Sequence, residues 1–235
     1  MTEKTLGILM LENSAELPGY MADPRTFPFP TKRITVPGAT TDKVVAGDPL
    51  LRGAYAQCAR ELENEGVSAI TANCGFTALF QNAVSRAVSV PVGLSNLMLV
   101  PHVAKMLPSE KRIGLVTFDS GNLKEDHFNA AGWSSKEIPV AIAGIDGSDS
   151  WHELMAPVPL PKIPTMIRDV MAAVKSILDS HRDIGALVFE CTGFPVTSDA
   201  VRRQTGLPVA DILTLANILF ALSSPRNPSD CRWIT

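Results

Sequence analysis

Short hydrophobic runs alternate along this chain with longer segments in which hydrophobic and polar positions recur at helical spacing. Four of the runs predict buried strands, at residues 6–11, 69–72, 113–118 and 186–189. Alternation of buried strands with helices is typical of a parallel sheet that helices cover on both faces. The pattern therefore predicts an α/β fold.

Two of the helical segments follow clear start signals. Asp48 and Pro49 precede the segment 50–66, and Thr165 precedes the segment 166–181. Aspartate and threonine cap helix N-termini, and proline is tolerated at the first helical position. We therefore expect one helix to be capped by Asp48 and another by Thr165. A last helical pattern covers residues 212–223.

Two proline-rich segments, 24–30 and 157–164, interrupt this pattern. Proline lacks the backbone donor that helix interiors and central strands require, so both segments are predicted to be loops. Each lies between a predicted first strand and a predicted first helix. Ligands in parallel α/β sheets bind beyond the carboxyl ends of the strands. The loops are therefore either walls or lids of a cleft, or rigid connectors without a ligand role.

The two halves of the chain align with each other. Residues 66–94 match residues 183–211 at a constant offset of 117, and residues 4–9 match residues 111–116 at an offset of 107. A duplicated unit that packs against its copy about a pseudo-twofold axis brings equivalent positions face to face. We predict two pseudo-symmetric lobes, each a parallel sheet flanked by helices, with the active site between the lobes.

The lobe boundaries follow from the duplication. We assign residues 1–100 and the C-terminal helix 211–235 to the first lobe, and residues 101–210 to the second. A chain of 235 residues is long enough for two cores of this size. The hydrophobic content of 46% and the net charge of -3 indicate neither a nucleic-acid partner nor a membrane surface. We expect a cytoplasmic homo-oligomer, such as a dimer, without a signal peptide or membrane span.

Four cysteines, at positions 58, 74, 191 and 231, form no C-x-x-C pair and indicate neither a metal site nor a disulfide framework. Cys74 and Cys191 are equivalent in the duplication, and each stands between a predicted strand and a helix. Helix N-termini favour a thiolate, so we expect a thiol pKa lowered towards neutrality and acid–base chemistry. The alternative is that both are small buried hydrophobic residues, as we interpret Cys58 and Cys231.

With these motifs the chain resembles the cofactor-independent aspartate/glutamate racemase superfamily, which includes hydantoin racemases, maleate isomerases and arylmalonate decarboxylases. The resemblance covers nearly the whole chain. It rests on GILML in the first strand, PG-x-x-x-x-P-x-TFPFP at 18–30, NCGF around Cys74, GLVTFDS at 114–120 and ECTGFP around Cys191.

In that family two cysteines face each other across the lobes. One removes a proton from a stereocentre and the other returns a proton from the opposite side. The resemblance implies these roles for Cys74 and Cys191, with no organic cofactor and no metal. The decarboxylases keep only the second cysteine, so two cysteines argue against that branch.

Candidate substrate contacts surround the two cysteines and the ends of the two equivalent first strands. Backbone N–H groups after each cysteine can bind a carboxylate or an enolate oxygen. The candidates are Asn13, Gly75, Phe76, Thr117, Ser120, Thr192 and Gly193. For the polar side chains among them, the alternative is an ordinary role in turns or helix caps.

The chain departs from the glutamate racemases beside both cysteines. Those enzymes follow the first cysteine with Asn-Thr and the second with Thr-His, whereas this chain has Gly75-Phe76 and Thr192-Gly193. The missing histidine and the added Phe76 predict a substrate less polar than an acidic amino acid. A small carboxylate with an apolar group, or a cyclic amide, fits this description.

We therefore predict an isomerase, a cofactor-independent racemase or epimerase that acts at a carbon next to a carboxylate or related carbonyl. A maleate-type cis–trans isomerase with a covalent cysteine adduct is one alternative. A non-catalytic carboxylate-binding protein is the other.

Overall fold

The computed structural model describes residues 3–225, and their strands form two parallel β-sheets. The strands are β1 Leu6–Met10, β2 Thr31–Thr35, β3 Ala69–Ala72, β4 Arg112–Thr117, β5 Val140–Gly144, β6 Ile184–Phe189 and β7 Val209–Ala210. The α-helices are α1 Thr41–Val45, α2 Leu51–Asn64, α3 Gln81–Ser85, α4 Val100–Met106, α5 Glu125–Ala130, α6 Asp149–Met155, α7 Ile163–Ser180, α8 Pro195–Thr205 and α9 Ile212–Leu222. Short 3-10 helices cover Pro24–Thr26, Gly75–Phe80 and Asn96–Leu99.

The two sheets share one topology. The first has the order β2-β1-β3 and the second the order β5-β4-β6-β7, with every pairing parallel. In the first sheet Ile70 also forms a parallel bridge to Val92, and in the second Leu187 pairs with Val209. These two pairings are equivalent at the offset of 117. The predicted α/β fold with two similar parallel sheets is confirmed.

The four predicted strands are the central ones. All residues of β1 and β3 are buried, and so are five of the six in β4 and in β6. Helices on both faces of a sheet require such continuous apolar runs. The structure adds the two-residue strand β7 and the edge strands β2 and β5, which the sequence analysis missed. Edge strands tolerate exposed residues, and β2 and β5 both have mixed burial that weakens the apolar signal.

Two predicted helix starts are wrong by a few residues. Helix α7 begins at Ile163, so Thr165 lies inside it and does not cap it. Pro164 lies in the first turn of the helix, where backbone N–H groups have no partner within the helix, so the missing N–H of proline costs nothing there. The predicted loop 157–164 therefore ends before Ile163. Helix α2 begins at Leu51, because Asp48 first closes a turn in which its Oδ1 accepts from the Leu50 N–H at 2.9 Å.

The C-terminal helix α9 packs against β1 and β3 of the first sheet. Asp211 caps it, since its Oδ1 accepts from the N–H groups of Leu213 and Thr214. Residues 226–235, including Cys231, lie outside the described residues. Within residues 3–225, no helix is long and apolar enough to cross a bilayer.

Candidate active site

A cleft lies where the carboxyl ends of strands from both sheets meet. Its lining includes Leu11 after β1, Asn73 after β3, Phe118 after β4 and Glu190 after β6. The cleft holds about 600 Å³ when its open mouth is counted. This is the position at which parallel α/β folds bind small molecules.

Both predicted catalytic cysteines line this cleft, one from each lobe. Cys74 follows β3 and caps the 3-10 helix Gly75–Phe80, and its carbonyl oxygen accepts from the Thr77 N–H at 3.2 Å. Cys191 follows β6, and its carbonyl oxygen accepts from the Phe194 N–H at 3.2 Å. The two thiols thus occupy equivalent positions on the two sides of one cleft.

Burial dominates the ionisation of these thiols. It raises the pKa of Cys74 to about 12, and the negative charge of Glu190 adds to the rise, while the N–H groups of Phe76 and Thr77 lower the pKa by less. Burial likewise raises the pKa of Cys191 well above its ordinary value, again with a contribution from Glu190. The predicted lowering is therefore wrong, because loss of hydration outweighs the helix N-terminus. Burial and the charge of Glu190 therefore both favour the neutral thiols.

Glu190 is the titratable group that the sequence analysis missed. Its side chain is fully buried, and its Oε2 accepts from the Thr117 hydroxyl at 2.7 Å and from the Phe118 N–H at 3.2 Å. Its Oε1 has no hydrogen-bond partner. Burial raises the pKa of this carboxyl to about 7. An acid at the end of an otherwise apolar strand, directly before Cys191, was the available signal.

Gly75 leaves the space that Glu190 fills. A Cβ atom on Gly75 would lie 2.2 Å from both the carbonyl oxygen and Oε1 of Glu190. The acid of the second lobe therefore lies against the backbone that follows Cys74 in the first lobe. The glycine after one cysteine and the glutamate before the other form one structural feature.

Tyr20 is a second cleft residue that the sequence analysis missed. It is buried, and its hydroxyl has no hydrogen-bond partner. Burial raises its pKa well above the ordinary value, with contributions from Cys191 and Glu153. A Cβ atom on Gly193 would lie 3.1 Å from Cε1 of the Tyr20 ring, so the glycine lets the ring approach.

Five of the seven predicted substrate contacts line the cleft: Asn13, Gly75, Phe76, Thr192 and Gly193. Two of them also hold the structure together. The Asn13 Oδ1 accepts from the Thr41 N–H at 3.0 Å, which fixes the start of α1. The Thr192 hydroxyl donates to the Asn73 carbonyl oxygen and so joins the lobes.

The structure does not bring Thr117 and Ser120 to the cleft lining. Thr117 is fully buried and reaches the cleft only through its hydrogen bond to Glu190. Ser120 contacts Asp146, which accepts from its N–H at 2.6 Å and from its hydroxyl at 2.7 Å. These hydrogen bonds of Ser120 stabilise the turn after β4. Ser120 therefore has the turn role that was the alternative to substrate contact.

The proline-rich segments contribute unequally. Pro159, from the second one, lines the cleft together with Leu154 of α6. No residue of the first segment lines the cleft, although Tyr20, Met21 and Ala22, shortly before that segment, do. The resulting walls are predominantly apolar.

The fold is similar to those of solved racemases and of a solved decarboxylase. Allantoin racemase from Klebsiella pneumoniae matches with a TM-score of 0.63 and 16% identity over 93% of this chain and 87% of that one. Unliganded arylmalonate decarboxylase matches with a TM-score of 0.59 and 14% identity over 95% and 96%. Picrophilus torridus aspartate racemase matches with a TM-score of 0.55 and 15% identity over 95% and 96%. The predicted resemblance is confirmed at the level of the fold.

Sequence comparison leads to a different group of enzymes. A dimethylsulfoniopropionate lyase of Durusdinium sp. clade D is 29% identical over 231 residues, which cover 94% of this chain and 76% of the lyase. Dimethylsulfoniopropionate lyase 3 of Emiliania huxleyi (strain CCMP1516) is 27% identical over 244 residues, which cover 94% of this chain and 61% of the lyase. No family model matches the sequence. The relatives in sequence and in fold are enzymes, and we conclude that this chain is an enzyme.

Proposed function

We propose that the protein is a cofactor-independent lyase that removes a proton next to a carboxylate and thereby expels a leaving group from the neighbouring carbon. The identity of 29% to a dimethylsulfoniopropionate lyase over 94% of the chain carries this proposal. The two cleft thiols supply the base that the reaction needs. The substrate class is a small carboxylate with a sulfonium group two carbons away.

The chemistry needs one thiolate and a site for developing negative charge. A thiolate of Cys74 or Cys191 takes the proton from the carbon beside the carboxylate, and the electron pair of that C–H bond forms the alkene. The carbon–sulfur bond breaks, and its electron pair leaves with the sulfide. The products are a dialkyl sulfide and an unsaturated carboxylate, and the cysteine returns its proton to solvent.

Backbone donors stabilise the charge in this scheme. The N–H groups of Phe76 and Thr77 face the Cys74 sulfur, and those of Gly193 and Phe194 face the Cys191 sulfur. The N–H groups of Thr77 and Phe194 also donate to the carbonyl oxygens of the two cysteines, so those of Phe76 and Gly193 are the donors that become available when a thiolate takes up its proton. They can then hold the enolate-like oxygen of the substrate.

The assay that tests the proposal compares two kinds of acid. With dimethylsulfoniopropionate, we expect dimethyl sulfide in the headspace and an equal amount of acrylate by NMR. Aspartate and glutamate are expected to racemise far more slowly, because their second carboxylate would meet Glu190 in a cleft without a lining lysine, arginine or histidine among the described residues. Racemisation of either amino acid without any acrylate release would overturn the lyase proposal.

A racemase or epimerase is the second candidate, and the pair of equivalent thiols favours it. Elimination requires one base, whereas inversion of a stereocentre uses one thiol to remove a proton and another to return one. Cys74 and Cys191 lie on opposite lobes of the cleft, as this scheme requires. No observation favours the maleate-type isomerase or the non-catalytic binding protein.

Isotope incorporation tests the racemase candidate directly. During turnover of one enantiomer of a chiral acid in deuterated water, we expect early deuterium in the product enantiomer and none in the remaining substrate. Separate thiols on the two faces produce this asymmetry. Chiral chromatography with mass detection measures it. Early deuterium in the unreacted enantiomer would instead indicate a single base.

A further inference from the structure

The cleft contains a buried acid without a countercharge. The side chain of Glu190 is fully buried, and none of the described residues that line the cleft is a lysine, arginine or histidine. Two protein donors bind Oε2, namely the Thr117 hydroxyl and the Phe118 N–H. Oε1 is also buried and has no hydrogen-bond partner, and it lies against Gly75, a residue of the cleft lining.

Neither protonation state satisfies Oε1 within the protein. As a carboxylate oxygen it lacks a donor, and as a hydroxyl it would lack an acceptor, since it has no hydrogen-bond partner within the protein. Buried polar groups without partners are costly, and buried charges are normally paired. The missing partner of Glu190 is therefore expected to arrive with a ligand.

A cationic ligand would also resolve the conflict between Glu190 and the thiols. The charge of Glu190 disfavours a thiolate at both Cys74 and Cys191. A positive charge that enters beside the carboxylate reduces this repulsion and so lowers the pKa of both thiols.

The other walls of the cleft indicate which kind of cation fits. The aromatic residues Tyr20, Phe76 and Phe118 and the aliphatic residues Leu11 and Leu154 are among its lining residues. A primary ammonium group would need an acceptor for each of its N–H donors, and the lining residues that could supply one include Asn13, Ser14 and Thr192. In an onium group, such as a sulfonium or a quaternary ammonium, methyl groups surround the charged atom. Such a group has no N–H donors that need acceptors, and aromatic faces attract it.

We propose that Glu190, which packs against Gly75 in the cleft lining, is the specificity-determining counter-ion for the onium group of a zwitterionic carboxylate substrate. This inference rests on the proposed lyase function and deepens it, because the onium group is also the leaving group. Glu190 acts on the bound cation and takes no proton from the substrate.

A pair of ligands with the same shape and different charge tests the assignment. β-Alanine betaine carries a trimethylammonium group, and its carbon isostere carries a neutral tert-butyl group at the same place. Calorimetric titration of the wild-type protein is expected to show at least about tenfold tighter binding of the betaine. In the Glu190→Gln variant the preference should fall to within about twofold, while binding of the neutral acid is retained.

Glu153→Gln is the matched control. It removes one negative charge near Tyr20, but Glu153 is not among the lining residues, and it pairs with Lys162. This variant should keep the wild-type preference. A preference that persists in Glu190→Gln would overturn the assignment. The assignment would also be overturned if the wild-type protein preferred the neutral acid or bound neither ligand. Titration of the wild-type protein alone decides this point.

The same proteins distinguish this inference from the lyase proposal. A Glu190-dependent preference for the betaine without release of dimethyl sulfide would support the counter-ion and contradict the lyase. Release of dimethyl sulfide together with an unchanged preference in Glu190→Gln would support the lyase and contradict the counter-ion.

Discussion

Replacing both cleft thiols with alanine is expected to reduce turnover by at least about a hundredfold, since a positioned acid or base typically contributes a factor of about 10² to 10⁴. Cys74 and Cys191 are the thiols that line the cleft among the described residues. The double variant retains the backbone donors and the apolar walls. It should therefore still bind the substrate while losing the chemical step.

The single variants separate the two candidate reactions. Racemisation requires both thiols, so it should fall in Cys74→Ala and in Cys191→Ala. Elimination requires one base, so one variant should lose most of the activity and the other should lose less. Steady-state rates of dimethyl sulfide release and of racemisation measure the two cases.

Cys58→Ala is the control for these variants. Cys58 is buried in α2 and does not line the cleft, and burial raises its pKa. Its replacement should leave turnover close to the wild-type rate. Circular dichroism verifies the fold of each variant. Turnover near the wild-type rate in the folded double variant would contradict thiol catalysis by either reaction.

Glu190→Gln is expected to remove a large part of the pH dependence of stability. Burial raises the pKa of this carboxyl from 4.5 to about 7, so the folded protein binds the proton more tightly than the unfolded chain does. The stabilisation from this proton is complete below the unfolded value. It is lost as the pH rises through about 7, and the loss amounts to about 3 kcal/mol of unfolding free energy.

Urea unfolding at about pH 4 and about pH 8 measures this difference. Other titrating groups act on the wild-type protein and the variant alike, so the gap between the two pH dependences isolates Glu190. Between the lower and the higher pH, the unfolding free energy should fall less in Glu190→Gln than in the wild-type protein. Glu153→Gln should keep the wild-type slope. Parallel pH dependences for wild type and Glu190→Gln would show that the carboxyl is not destabilised by burial.

The central architecture could be predicted from the sequence because its signals are local. Strands β1, β3, β4 and β6 are buried on both faces, so each requires a continuous apolar run that is visible in the chain. The duplication was readable for a similar reason, since equivalent strands retained their spacing. The edge strand β2 lacked such a signal, because half-exposed positions tolerate polar residues.

The candidate site was predictable only in part. The position of Cys74 and Cys191 after central strands placed both thiols at the carboxyl edge of a parallel sheet, where clefts form. The pKa of these thiols could not be predicted from the sequence. A helix N-terminus is visible in the sequence, but the loss of hydration that outweighs it depends on how the whole fold closes over the thiols.

By itself, the sequence determined the central strands, the repeated unit and the two equivalent cysteines. Only the tertiary structure decided what surrounds those cysteines. Glu190 and Gly75 belong to different halves of the chain and meet only because the lobes pack together, and the same packing buries Tyr20. Strands and helices follow from neighbouring residues, whereas the charge and shape of the cleft depend on contacts between residues that are distant in the chain.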